Sequence, residues 1–243
     1  MEIYILRHGT TEWNSEHRIQ GNTDIALDQL GLEMARQTGL AFREKGITFD
    51  RVYASPLKRA FETARLVAGD EAEIVTDDRL RELCFGTQEG RFVEEMERNA
   101  DVPFRFFKKK PSEYDRLAKM DPSMESLTEL CERTADFLTE VVETLPKDVE
   151  TLPEDVETLP EDVETLPEKV ERILIAAHGV CNKGLLMHIR GEKDMDRFWG
   201  PGLQANCGVS RVTFDCETRE YTVEAESEIY YDEKLLEQIS SLL

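Results

Sequence analysis

The sequence predicts an α/β protein, a three-layer α/β/α sandwich around a mostly parallel sheet. Three observations carry that expectation. Short apolar runs alternate with longer helical patterns, as they do where crossover helices link parallel strands. Two of the runs, one in each half of the chain, end in His-Gly. The last two runs are separated only by residues 216–220, which reads as a hairpin.

The first strand covers 2–7, where Ile3, Tyr4, Ile5 and Leu6 run into Arg7-His8-Gly9-Thr10. Buried strands deliver their last residues to the carboxyl edge of the sheet, where open α/β proteins build their sites. The chemistry of the tripeptide suits a phosphate. Arg offers a planar fork of donors, neutral His is a nucleophile, and Gly admits a close ligand. A helix follows at 29–45 and a strand at 51–54. Next, Ser55-Pro56-Leu57-Lys58-Arg59 reads as a helix N-terminus with Pro in its first turn. That helix, 56–68, puts Arg59 near its start. After a strand at 73–76, Arg81-Glu82-Leu83-Cys84-Phe85-Gly86 sets a carboxylate beside an arginine. Helices are expected at 92–108 and 123–144. A strand at 172–177 ends in His178-Gly179 and leads into a helix at 180–189. Strands at 209–215 and 221–226 close the sheet.

Taken together, these segments resemble the histidine phosphatase superfamily in its phosphoglycerate mutase-like branch. The resemblance rests on residues 7–14, Gln20-Gly21-Asn22-Thr23-Asp24, Ser55 to Ala60, Glu82 to Gly90, His178-Gly179 and Asn206 to Ser210. It implies that His8 is the nucleophile and becomes a phosphohistidine. It implies that Arg7, Arg59 and His178 hold the phosphoryl oxygens, where fixed positive charge contributes most in phosphoryl transfer. Glu82 would protonate the leaving oxygen and later activate water. Asn14, Gln20, Gly21 and Gly179 would contact substrate. Two arginines and a histidine make metal and cofactor unnecessary. By the same resemblance, 91–122 is a small helical cap insertion. It carries Phe92, Phe104, Phe106 and Phe107 beside Arg105 and Lys108 to Lys110. The pattern around Glu82 and at 20–24 is more like phosphatase members than mutases. Substrate identity stays open among sugar phosphates, phosphoglycerates and α-ribazole phosphate.

Composition narrows the class further. The net charge of −21 disfavours nucleic acid and anionic membrane as partners. It also requires a locally positive pocket for a phosphorylated metabolite, to which Arg81 could add. No run approaches the ~20 apolar residues of a membrane span, and the chain opens directly on a strand rather than a signal peptide. Five scattered cysteines suit free thiols in a reducing cytoplasm. Cys181, three residues after His178, invites a nucleophilic-thiol reading that nothing else supports. His17 and His188 match no catalytic position and read as structural or exposed. The four histidines show no zinc-ligand spacing.

One segment lies outside the resemblance. Residues 142–169 repeat every seven residues as Val-Glu-Thr-Leu-Pro-x-x, and 149–169 read as three inserted copies. Leu145, Val149, Leu152, Val156 and their successors keep a coiled-coil seam spacing that would suit a homodimer. Each Leu is followed by Pro, however, at a cost of about 3 kcal/mol inside a helix. Short capped turns or a kinked helix both remain open, as does partial disorder. The single domain is expected to span 1–243.

Overall fold

The computed structural model describes residues 1–145, 170–232, 234 and 237. In chain order the elements are β1 (Glu2–Arg7), α1 (Glu12–Ser15), α2 (Gln29–Glu44), β2 (Arg51–Ala54), α3 (Lys58–Ala68), β3 (Ile74–Thr76), α4 (Val93–Arg98), α5 (Pro111–Ala118), α6 (Leu127–Phe137), β4 (Arg172–Ala177), α7 (Gly179–Ile189), β5 (Val209–Asp215) and β6 (Glu220–Glu228). They form a six-stranded sheet of order β3-β2-β4-β1-β5-β6 with helices on both faces. Pairings among β1 to β4 are parallel, and β5 and β6 add antiparallel edge strands. The expected fold class is the observed one.

The central strands are apolar on both faces because both faces are covered. In β1, Ile3, Ile5 and Leu6 are fully buried, as are Ile173 to Ala177 of β4. One face packs against Leu185 and Leu186 of α7 and Phe137 of α6. The other packs against Met34 and Phe42 of α2 and Ala64 and Val67 of α3. A third apolar cluster joins Met96, Phe104, Phe107 and Tyr114 of the 91–122 region to Leu83, Phe85 and Val180.

Three of the expected helices differ from their expected bounds. The Pro56 helix starts at Lys58 instead, because Ser55 Oγ accepts from Leu57 N (3.3 Å) and Asp24 Oδ1 caps Lys58 N (2.8 Å). The helix expected at 92–108 is broken into α4 and a 3-10 turn at Pro103–Phe106. Asn99 Oδ1 accepts from Asp101 N there, and Pro103 lacks the N–H to continue. The 123–144 helix begins at Leu127, where Ser126 and Glu129 form a capping box, and ends in a π-turn at Leu138–Val142. Helix α5 is an addition to the expected elements, and Pro111 at its first turn is a helix-start signal.

Most of the heptapeptide repeat, 146–169, lies outside the described residues, and with it the capped-turn, kinked-helix and dimer-seam expectations. Its flanks are described. Leu145 and Val170 pack on the core beneath the N-terminal end of β4. His178 follows the C-terminal end of that strand, and six residues of strand span about 20 Å. Removal of Val149–Lys169 is therefore expected to leave turnover within about threefold of the full chain. Steady-state assay of the shortened protein checks this, and a hundredfold loss would refute the placement.

Candidate active site

Parallel register builds the site. Arg7 of β1 lies opposite Ala177 of β4, and Ala54 of β2 lies opposite Ala176. The next residue of each strand stays tied to the sheet: His8 N donates to Ala177 O (3.1 Å) and Ser55 N to Ala176 O (2.9 Å). His8, His178 and Ser55 thus emerge together at the carboxyl edge. The two imidazole rings stand 5.2 Å apart, centroid to centroid.

His8 is buried, and its Nδ1 lies 2.6 Å from Gly9 O. A carbonyl only accepts, so Nδ1 carries the proton and Nε2 presents a lone pair. Burial, and then the charges of Arg59 and Arg7, hold this imidazole well below the ordinary histidine range. The backbone is locked as well. Asn206 Nδ2 donates to His8 O (3.0 Å) and Gly9 O (3.2 Å). Gly9 N donates to Thr63 Oγ1 (3.1 Å), and a Cβ on Gly9 would meet Gly31 O at 2.5 Å.

Arg59, fully buried near the start of α3, donates from Nη1 to Thr23 O (2.8 Å) and from Nη2 to Gly21 O (2.7 Å). Burial pushes its guanidinium down to about 10, with Glu82 opposing. Arg7 donates from Nη1 to Gln204 O (2.5 Å). Gly179 opens α7 beside it; a Cβ there would lie 3.4 Å from Arg7 Nε and 2.8 Å from Leu203. His178 contacts Ser55 Oγ through Nε2 (2.8 Å), and burial followed by the Arg59 charge holds its ring well below the usual range.

Glu82 sits at the N-terminus of α7, whose own N-cap His178 gives no side-chain bond. Its Oε1 accepts from Cys181 N (2.9 Å) and Leu83 N (3.0 Å), and its Oε2 accepts from Val180 N (3.1 Å). The carboxylate fills the place of a capping side chain and lies within the field of both Arg7 and Arg59. Gly21, at φ +56°, turns the loop that receives Arg59, and Gln20 beside it is buried. Asn14 is half-exposed and accepts from Thr11 N (3.2 Å) in the capping box of α1.

The five residues His8, Arg7, Arg59, Glu82 and His178 converge as the motifs suggest. Three buried donor-type atoms among them, Arg7 Nε, Arg59 Nε and His178 Nδ1, have no partner among the described residues. Arg81 does not join the group; it pairs with Asp78 (2.6 Å). Lys108 of the basic run pairs with Glu97 (3.0 Å). Cys181 is buried and its thiol is pushed up to about 12 by burial, which makes it a poor nucleophile. His17 is exposed, and His188 approaches Glu143 (3.4 Å).

Several supporting residues carried no assigned role in the sequence. Ser55 and Asn206 begin two of the quoted motifs. Glu89 lies inside a third and accepts from Asn22 N (3.0 Å), Thr23 N (2.8 Å) and Phe85 N (3.1 Å), fixing the loop around Gly21. Their signal was position within a motif. Their partners, as far as 198 residues away for Asn206, were not visible.

Comparison with known proteins decides the family. The model of the histidine phosphatase superfamily (branch 1) matches residues 3–152. The chain belongs to the histidine phosphatase superfamily. It is 42% identical over 97 residues to "Probable phosphoglycerate mutase GpmB" of Enterobacter sp., a stretch that is 40% of this chain and 44% of that relative. The chain thus matches less than half of that relative's length. Among solved structures, Bacillus stearothermophilus YhfR superposes with a TM-score of 0.73 at 25% identity, over 94% of this chain and 97% of that one. A phosphoserine phosphatase mutant from Entamoeba histolytica, in complex with phosphoserine, gives 0.71 at 23% identity, over 93% and 96%. No helix of the described residues is long and apolar enough to cross a membrane.

The depressed histidines make a stability prediction. Unfolded His8 and His178 titrate near ~6.5, whereas the folded rings stay neutral to lower pH. Below ~6.5 the unfolded chain binds more protons, so stability falls as pH drops through that value. Each ring contributes a slope of up to ~1.4 kcal/mol per pH unit. Urea unfolding at pH 7.0 and 5.5 should show this loss, and His178→Asn should flatten the slope by about that amount.

Proposed function

We propose that the protein is a metal-independent phosphatase of small phosphate monoesters, acting through a phosphohistidine on His8. The observation that carries this reading is the trio of buried, unpartnered donor-type atoms around the His8 ring. Buried polar atoms are nearly always paired, and leaving one bare costs about 1–3 kcal/mol. A tetrahedral dianion offers the acceptors that would satisfy all three. If Ser55 donates its hydroxyl proton to His178 Nε2, the His178 proton stays on Nδ1, which then faces the anion as a donor.

In the first step His8 Nε2 attacks phosphorus, and the bond from phosphorus to the ester oxygen breaks. The departing alkoxide takes the proton of the Glu82 carboxyl. In the second step a water oxygen bonds phosphorus while Glu82 takes its proton. The phosphorus–nitrogen bond breaks, and inorganic phosphate leaves with His8 regenerated. Arg7, Arg59 and His178 hold the equatorial oxygens throughout. Asn14, Gln20, Gly21 and Gly179 border the phosphate, and 91–122 acts as the cap that limits ester size.

A second reading is a phosphoglycerate mutase that passes phosphate from His8 to a second hydroxyl; the 42% identity to the Enterobacter relative favours it. Phosphate release from a panel of monoesters in EDTA separates the two. Activity that persists in EDTA and falls at least a thousandfold in His8→Ala is expected. No release from any ester, with conversion of 3-phosphoglycerate in the presence of its bisphosphate, would replace the phosphatase by the mutase. Because the folded His8 titrates low, kcat/KM should hold as pH falls below ~6.5 rather than drop with an ordinary histidine.

A further inference from the structure

Glu82 lies in a segment with no regular secondary structure, between a 3-10 turn at Asp78–Leu80 and another at Gly86–Gln88. Sheet hydrogen bonds do not fix it. The main chain on both sides of Glu82 is instead held by two side chains of the α6 unit. Arg133 donates from Nη1 to Arg79 O (2.5 Å) and from Nη2 to Glu82 O (3.3 Å). The same guanidinium binds Glu125 through Nε (2.5 Å) and Nη2 (3.0 Å). Glu125 Oε2 in turn accepts from Cys84 N (3.1 Å), and Glu125 N donates to Cys84 O (2.9 Å). The approach is tight: a Cβ on Gly86 would meet Ser123 O at 2.6 Å. Both side chains are largely buried, at 20% and 17% exposure, so the pair is well shielded from water.

We infer that Arg133 and Glu125 form a clamp that positions the Glu82 carboxyl for proton transfer, and that both are positioning residues for the reaction. The inference rests on the proposed role of Glu82 as acid and base. A clamp on residues 79, 82 and 84 fixes the main chain from which the carboxyl extends. A shift of about 1 Å can cost a hundredfold when a proton must pass at hydrogen-bond distance. Lysine at 133 keeps the charge but cannot bridge two carbonyls and a carboxylate at once.

The test uses leaving groups. Expulsion of an acidic phenol needs little help from a proton donor, whereas expulsion of an alkyl alcohol needs it fully. In Arg133→Lys, kcat/KM on glycerol phosphate is expected to fall at least tenfold, while kcat/KM on p-nitrophenyl phosphate stays within threefold. Because Glu82 also activates water, the nitrophenyl ester should then show a burst of nitrophenol before a slowed steady state. Glu125→Gln, which keeps the volume and weakens the ion pair, should move the same ratio in the same direction and guards against an unfolded Lys variant. Glu82→Gln run in parallel should show the ratio at its largest. Equal losses on both esters in the clamp variants, or none, with a selective Glu82→Gln, would overturn the clamp alone. A Glu82→Gln that loses both esters equally would overturn the role of Glu82 and the clamp with it.

Discussion

The parallel register of β1, β4 and β2 is the constraint on which the site depends. Its main-chain bonds from His8 to Ala177 and from Ser55 to Ala176 place two histidines and a serine at one level. Strand side chains alternate between faces, so a slip of one residue would turn His8 or His178 toward the opposite face. Local chemistry then completes what register begins, with Asn206 and Thr63 gripping the backbone on either side of the His8 ring.

Charge shapes the same place. The Arg59 guanidinium and two imidazoles are buried beside the half-buried Arg7 and against one carboxylate, on a chain whose net charge is −21. Burial answers part of this by keeping the imidazoles neutral. The carbonyls of Gly21, Thr23 and Gln204 answer another part by accepting from the guanidiniums. What is left is a cluster of positive side chains with buried donor-type atoms unpartnered among the described residues, in an acidic molecule.

Much of this was legible in the residues. Apolar runs marked every strand to within two residues, because central strands carry their burial in consecutive Val, Ile, Leu and Ala. The five converging residues sat inside motifs short enough to quote. What the sequence concealed was long-range. Nothing near Glu82 shows that α7 amides bind its carboxylate from 98 and 99 residues away, or that Arg133 braces its carbonyl. Pro56 looked like a helix start, but a turn made by Ser55 and a cap lent by Asp24 moved that start to Lys58. Within 91–122, Phe104 and Phe107 serve a compact apolar cluster rather than one face of the long helix expected at 92–108.

The sheet has two unlike edges. Its carboxyl edge holds His8, His178 and Ser55. Its amino edge, where Leu145 and Val170 anchor the repeat, holds nothing of the kind. Because Leu145 and Val170 both pack on the core, the two described flanks of the repeat are fixed points of the fold, whatever length of chain joins them.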